Sequence, residues 1–436
     1  MNIPTLYHLF QQHPLVNTDS RQCPAGSIFF ALKGEHFNGN AYAIQALEAG
    51  CAYAVIDEEQ YADAADERLI LVDNALKALQ QLANYHRRQL GIPVIGITGT
   101  NGKTTTKELV ANVLKQKYRV LYTEGNLNNA IGVPLTLLRL TSAHDMAVIE
   151  MGASHPGDIK ELVDIAEPDF GLITNVGMGH LQGFGSLEGV VQTKGELYDF
   201  LRTRPQATIF LHNDNEYLAS IARGLKQVRY GRPDPQTDLC VSGEVVSCAP
   251  YLRFRWHTSD GEWHEVQSHL IGSYNIDNMM AAATIGLHFG LTPTQVDEAL
   301  EAYTPTNNRS QLQHTGNNHL IIDAYNANPT SMMAALKNFQ TMDVSPKMAI
   351  LGDMKELGPC STSEHQRIVG FIKEAAFDKV WLVGDEFSAV ASDTPFPTFK
   401  QVDEVIAALQ EEPVKGFYIL IKGSNSMKLA QTTNHL

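Results

Sequence analysis

The segment Gly96-Ile97-Thr98-Gly99-Thr100-Asn101-Gly102-Lys103-Thr104-Thr105 holds the residue types needed to grip a polyphosphate. Glycines let backbone N–H groups turn inward on phosphate oxygens, and a helix N-terminus behind them adds positive potential. Lys103 is spaced to reach the β- and γ-phosphates, and the Thr104 hydroxyl to meet Mg²⁺. The strict pattern wants glycine five residues before Gly102. Ile97 stands there, flanked by Gly96 and Gly99, so the loop is a variant. A glycine-rich strand–helix turn with an ordinary helical lysine is the plainer alternative. The β-rich run 94–98 before the loop, and Leu109, Val110, Val113 and Leu114 on one helical face after it, favour the phosphate loop.

Further polar groups fall at the ends of apolar runs. Glu150 closes the run 146–151, at the sheet edge where open α/β folds bind ligands. Mg²⁺ takes one or two carboxylates with phosphates and water, so Glu150 is a metal candidate; a helix cap or solvated turn fits as well. His180 follows Thr174-Asn175-Val176-Gly177-Met178-Gly179 at another strand end, where a structural role is the commoner one. Lys194, in Thr193-Lys194-Gly195-Glu196, reads as a solvated helical lysine. Arg309, in Asn307-Asn308-Arg309-Ser310, could swing onto a transferring phosphoryl group or make an interdomain salt bridge. Asp323-Ala324-Tyr325-Asn326-Ala327-Asn328-Pro329 packs amides where they could bind a ligand; an Asx-turn cluster stopped by Pro329 is the alternative. Similar loops lie at 351–358 and 422–426.

The hydrophobic pattern supplies the elements that must hold these groups. Residues 1–88 contain apolar segments 27–32 and 52–56 and helical stretches 41–49 and 74–90, the latter with Leu76, Leu79, Leu82 and Ala83 on one face. Residues 89–305 open at Ile92-Pro93 and alternate strands at 94–98, 146–151, 171–176 and 208–211 with helices such as 158–165 and 187–201. That alternation predicts a doubly wound, mostly parallel sheet. Within 238–271, Leu252-Arg253-Phe254-Arg255-Trp256 alternates and Ser259-Asp260-Gly261 turns, which predicts a β-hairpin or small antiparallel sheet. Residues 306–436 alternate again, with strands at 320–324, 348–351, 380–383 and 418–421 and helices at 331–340, 363–376 and 402–411. The expected fold class is α/β in three domains: a small N-terminal domain, a central phosphate-loop sheet flanked by helices, and a Rossmann-like C-terminal domain.

At 44% hydrophobic and 19% charged residues, each domain can bury a core, which excludes a disordered chain. The net charge of −15 argues against a general nucleic-acid or anionic-membrane binder. The five cysteines are scattered without a C-x-x-C pair, so neither a disulfide scaffold nor a zinc site is expected, and a reducing cytoplasm fits. No signal peptide and no membrane insertion are expected. Nothing demands a partner chain, and a monomer is expected.

In this order the motifs resemble the Mur ligases of peptidoglycan synthesis, and within them the branch that adds D-alanyl-D-alanine. The resemblance spans essentially the whole chain. It rests on T-D-S-R (18–21), P-A-G-S-I-F-F-A-L-K-G (24–34), G-I-T-G-T-N-G-K-T-T-T-K-E (96–108) and T-E-G-N-L-N-N-A-I-G-V-P-L-T-L-L (123–138). E-M-G-A (150–153), H-L-Q-G-F-G-S (180–186), K-G-E (194–196), N-R-S-Q (308–311), D-A-Y-N-A-N-P (323–329) and L-G-D-M-K-E-L-G (352–358) complete it.

The resemblance implies that Gly99, Thr100, Asn101, Gly102, Lys103, Thr104 and Thr105 hold ATP, with Thr104 and Glu150 on one Mg²⁺. His180 would hold a second Mg²⁺, and Lys194 would match a carbamylated lysine that helps to place it. A carbamate forms only from the neutral amine, so burial or neighbouring charge must first lower that lysine's pKa. Asn275 and Asn278 would lie near the adenine, Arg309 at the γ-phosphate and Asp323 at the ribose. Ser20, Arg21, Asn38 and Gly39 would bind the UDP end, and Asn126, Asn128 and Asn129 the muramoyl peptide. Tyr325, Asn326 and Asn328 would face substrate. Tyr274 and Asn40 stand where relatives commonly carry histidine.

The implied reaction joins D-alanyl-D-alanine to UDP-N-acetylmuramoyl-tripeptide through an acyl phosphate, with ADP and phosphate released. Catalysis would rest on Lys103, His180, Lys194 and Arg309. Two other amide ligases of this fold compete. The enzyme adding the third stem residue typically carries D-N-P-R, absent here, and a folylpolyglutamate synthase lacks the T-D-S-R block, present here. A degenerate nucleotide-binding scaffold would have damaged Lys103, Thr104, Glu150 or Lys194, and all four are intact. A plain ATPase would not need the third domain.

Overall fold

The computed structural model describes residues 1–259 and 261–436; Asp260, within the expected turn at 259–261, lies outside the described residues. At the centre is a nine-stranded sheet. Its order is His264–Ile271, Tyr251–His257, Val241–Cys248, Lys226–Gly231, Thr208–His212, Phe170–Ile173, Val94–Thr98, Met146–Glu150 and Val120–Tyr122. From Val241–Cys248 to Val120–Tyr122 the pairing is parallel throughout.

Val94–Thr98, Met146–Glu150 and Thr208–His212 are buried at every position, as strands covered on both faces must be. Alternate side chains feed opposite cores. Val148 packs with Leu109 and Val113 of the Lys103–Leu114 helix and with Met279 of the Asn275–His288 helix. Ala147 and Ile149 pack with Leu162 of the Asp158–Ala166 helix and Leu197 of the Leu187–Arg202 helix. This period-2 division places the phosphate loop between the two helical layers.

The 238–271 segment does not form a sheet of its own. Tyr251–His257 and His264–Ile271 add antiparallel to Val241–Cys248 and extend the central sheet. Leu252, Phe254 and Trp256 point into the core shared with the Asn275–His288 helix, which fixes that register. The Val120–Tyr122 and Lys226–Gly231 strands are absent from the sequence expectation.

The N-terminal sheet is parallel, in the order Val16–Asn17, Ile28–Phe30, Tyr53–Ile56 and Leu69–Leu71. The following helix, Ala75–Leu90, is capped by Asn74, whose side chain accepts from Lys77 N, and ends at Gly91 with φ +63°. It runs through residue 88 and buries Leu79 and Leu82 in one core with Phe10 and Phe30 on one side and Ile149 and Leu162 on the other. Arg87 pins its end by donating to Ala166 O, Glu167 O and Asp169.

The C-terminal sheet runs Gln311–His314, His319–Asp323, Tyr418–Lys422, Lys347–Gly352, Lys379–Val383 and Thr398–Phe399. It is parallel except for the Gln311–His314 hairpin strand. Helices cover both faces, as a Rossmann-like domain requires. Among the described residues no helix is long and apolar enough to cross a membrane.

Leu109 is fully buried where the phosphate-loop helix meets the sheet. Leu109→Ala should therefore destabilise the fold by about 2–5 kcal/mol, read by denaturant unfolding.

Candidate active site

The Val94–Thr98 strand runs straight into the phosphate loop. Gly99 sits at φ +141°, and a Cβ there would lie 2.0 Å from Thr174 Oγ1. Gly102 sits at φ +78°, with Asn278 Oδ1 at 2.6 Å from the same imagined atom. Only glycine fits either place. Thr100 N donates to Asn175 O at 3.0 Å, and its hydroxyl both donates to and accepts from Gly177. Asn101 N donates to Asn175 Oδ1, while Asn101 O accepts from Thr174 Oγ1 at 2.6 Å and Asn175 Nδ2 at 3.0 Å. The loop is thus held by the end of the neighbouring strand.

Lys103 Nζ curls over this loop, donating to Gly99 O at 2.8 Å and Thr100 O at 3.0 Å. Desolvation, aided by the Arg309 cation and opposed by Glu150, lowers its pKa to about 8. Thr104 and Thr105 follow, buried, in the first helical turn. Glu150 ends its strand fully buried. Its Oε1 accepts from Thr104 Oγ1 at 3.1 Å and Asn128 Nδ2 at 2.8 Å, and Oε2 has no partner among the described residues. A buried carboxylate oxygen left open beside a threonine hydroxyl is the donor set a hard divalent cation takes. Glu150 is therefore neither a helix cap nor a solvated turn residue.

Lys194 is not the solvated lysine that its sequence context alone predicts. It is 2% exposed within the Leu187–Arg202 helix, with Nζ 3.5 Å from Ala153 O and 5.2 Å from the Phe184 ring centroid. Burial, reinforced by the Lys103 charge, holds its pKa well below the ordinary lysine range. His180 has a left-handed backbone, φ +52°. Its Nδ1 lies in ion-pair contact with Glu356 of the C-terminal unit, without hydrogen-bond geometry. Burial, with Lys103 and Lys194 nearby, lowers the imidazole pKa against the pull of Glu356. Among the described residues no three or more His, Cys, Asp or Glu side chains are grouped to hold a metal ion.

The C-terminal unit closes a cleft of ≈ 770 Å³ over this loop. Arg309 lines it with the guanidinium 3.8 Å from the Tyr325 ring centroid, and makes no salt bridge among the described residues. Asp323 pairs with the buried Lys422 at 2.5 Å. Asn275 and Asn278 line the cleft and hydrogen-bond each other, with Thr106 on Asn278 and Ser310 on Asn275. Tyr274 reaches Ser310 Oγ at 3.1 Å, and burial raises its pKa. Asn328 caps the Pro329–Thr341 helix through Ser331 N, and its Nδ2 donates to Asn101 Oδ1 of the phosphate loop at 2.7 Å.

Comparison with known proteins matches three family models: Mur ligase family, catalytic domain, over residues 14–87; Mur ligase middle domain over 97–286; and Mur ligase, glutamate ligase domain, over 308–425. A Bacillus subtilis relative named UDP-N-acetylmuramoyl-tripeptide–D-alanyl-D-alanine ligase is 34% identical, over 97% of this chain and 92% of its own. The chain belongs to the Mur ligase family. Crystal structure I of MurF from Acinetobacter baumannii superposes with a TM-score of 0.87 at 30% identity, covering 96% of this chain and 92% of its own. The MurF ligase of Thermotoga maritima, solved in complex with ADP, gives 0.85 at 24% identity over 97% and 96%, a likeness of fold.

Not every expected residue of this Mur ligase joins the cleft. Ser20, Arg21, Asn38 and Gly39 stand in the N-terminal unit and do not line it. Arg21 folds back on Asp19, Asn38 donates to Glu58 at 3.0 Å, and Gly39 sits where a Cβ would meet Leu32 O at 2.3 Å. Asn40, at a position where histidine is common in the family, is buried and donates to Asp57. Asn126 lies outside the cleft lining, while Asn128 and Asn129 belong to it, the latter accepting from Gly132 N. Tyr325 and Asn326 line the cleft; Asn328 is spent on its cap and on Asn101. The sequence reading included Asn175, Lys422 and Glu356 within candidate loops without singling out any of them; Lys422 ends its strand, Asn175 lies two residues past one and Glu356 four.

Gly99→Ala should abolish nucleotide binding in a fluorescent-ADP titration, because its Cβ overlaps Thr174. Lys103 loses its proton near pH 8 when free, and bound phosphates restore it. Nucleotide binding above pH 8 should therefore take up a proton that it does not take up at pH 6, measured calorimetrically in buffers of different ionisation enthalpy.

Proposed function

We propose that this chain joins the amine of D-alanyl-D-alanine to the terminal carboxylate of UDP-N-acetylmuramoyl-tripeptide, converting ATP to ADP and phosphate. The observation that carries the reading is near-full-length identity of 34% to a ligase of that name. A phosphate loop intact in every side chain the chemistry needs supports it.

A carboxylate is a poor electrophile. Phosphoryl transfer from ATP makes an acyl phosphate, and the dipeptide amine then forms the C–N bond as the C–O bond to phosphate breaks. Lys103 and Arg309 flank the cleft from two units and neutralise charge on the transferring group. Thr104 and the open oxygen of Glu150 would hold one Mg²⁺, and His180 and Lys194 a second, and the ions would supply positive charge against the phosphate oxygens. Lys194 would act as its carbamate: burial disfavours its ammonium form, and the neutral amine adds CO₂, loses a proton and becomes carboxylate-like. Asn275 and Asn278 face the adenine and Asp323 the ribose. Ser20, Arg21, Asn38 and Gly39 take the UDP end, and Asn126, Asn128 and Asn129 the muramoyl peptide, with Tyr325, Asn326 and Asn328 on the acceptor side. The units divide as 1–88, 89–305 and 306–436, and the enzyme works as a cytoplasmic monomer.

Phosphate release from ATP and Mg²⁺ should require both UDP-N-acetylmuramoyl-tripeptide and D-alanyl-D-alanine, and vanish in Lys103→Ala. Release with neither substrate present would make the chain a plain ATPase. After ¹³C-bicarbonate exchange, a carbamate signal should appear by NMR in the wild type and be absent in Lys194→Gln.

A further inference from the structure

The cleft is lined by six carboxylates, Glu150, Asp158, Glu161, Asp277, Asp323 and Glu356, of which the C-terminal unit supplies the last two. Glu150 is committed to Thr104 and Asn128. Asp158 accepts Ser154 N and His155 N at 2.8 Å each, and Glu161 accepts Gln80 Nε2 at 2.8 Å. Asp323 is neutralised by Lys422, and Asp277 lies 3.6 Å from Arg232. Among the described residues Glu356, like Glu150, Asp158 and Glu161 but unlike Asp323 of its own unit, is in no ion pair with a lysine or arginine. Its one ion-pair contact among the described residues is the His180 imidazole, and its side chain is 57% exposed.

The backbone holds Glu356 there. Its φ is +63°, a left-handed conformation rare outside glycine, asparagine and aspartate. Three anchors maintain it: Glu356 O accepts from Gln182 N across the cleft at 3.1 Å, Lys355 N donates to Ser424 Oγ at 2.9 Å, and Met354 N donates to His365 at 3.1 Å. Lys355, the nearest cation in sequence, is turned away onto Asp353 at 3.0 Å. An exposed carboxylate whose one ionic contact among the described residues is the His180 imidazole is thus presented to the cleft. It comes from the C-terminal unit, which faces the phosphate loop across the cleft.

We propose that Glu356 docks the α-ammonium end of the zwitterionic acceptor dipeptide and so sets where its amine enters. This rests on the acceptor being D-alanyl-D-alanine, as read above. Glu356 is a binding and positioning residue in this role, and no proton transfer is assigned to it.

The test is the steady-state kinetics of Glu356→Gln and Glu356→Asp with each substrate varied in turn. The expected result is a KM for D-alanyl-D-alanine raised about tenfold or more in Glu356→Gln and largely recovered in Glu356→Asp, with KM for ATP and for UDP-N-acetylmuramoyl-tripeptide within about twofold of wild type. If the three KM values rise together, or only kcat falls, Glu356 is a clamp on His180 and the proposal is overturned. Unchanged kinetics also overturns it. A fluorescent-ADP titration of each variant checks that the nucleotide site is folded. Wild-type protein showing no D-alanyl-D-alanine-dependent phosphate release would sink the functional reading instead, an outcome the variants cannot mimic.

Discussion

Asn101 has almost no polar atom to spare. Its N–H goes to the Asn175 side chain, its carbonyl receives Thr174 and Asn175, and its side-chain oxygen receives Asn328 from the C-terminal unit. One residue therefore fixes the curvature of the phosphate loop and ties it to the unit that covers it. The glycines on either side make this possible, since a side chain at Gly99 or Gly102 would push the loop off Thr174 or Asn278. With the loop held, Lys103 and Thr104 take their places, and Asn128 holds Glu150 beside them. The cost of ordering these groups is met in folding rather than at the moment of binding, which is the sense in which such a site is preorganised.

The charges around this loop are placed against the solvent's preference. Lys103 and Lys194 both sit where burial disfavours the ammonium form, and Lys194 also lies in the field of Lys103. Glu150 offsets the first, and the carboxylates Asp158 and Glu196 only weakly offset the second. A site with cations at its floor and an unpartnered carboxylate oxygen beside them is incomplete until polyphosphate and a divalent ion bring in opposite charge. The apo arrangement is electrostatically unsatisfied in the way that its proposed ligands would correct.

Much of this was legible in the sequence because strand ends and apolar period are local signals. The strand before the phosphate loop and the helix behind it follow from residue type and spacing alone, while for Glu150 the same signals left a metal ligand and a cap or solvated turn equally open. The six strands and alternating helices of the C-terminal unit are nearly as plain, apart from two strands at its edges. What was not legible depends on contacts between distant segments. Nothing near Lys194 marks it as buried, since its cover comes from Phe184 and from the turn at Ala153. Lys422 and Asp323 lie almost a hundred residues apart, and only the parallel pairing of their strands brings them together. The antiparallel run at 251–271 shows its alternation plainly, but alternation cannot say which sheet a strand will join.

The helix Ala75–Leu90 lies within one continuous core, sharing its buried face between the N-terminal strands and the layer under the central sheet. Arg87 fastens its far end to the carbonyls at 166 and 167. The first unit therefore cannot swing as a free arm. Its loops stand at a set span from the phosphate loop, and a molecule that must touch both is measured against that span. Such a construction acts as a caliper: a substrate one residue too short or too long would meet one jaw and miss the other, whatever its local chemistry.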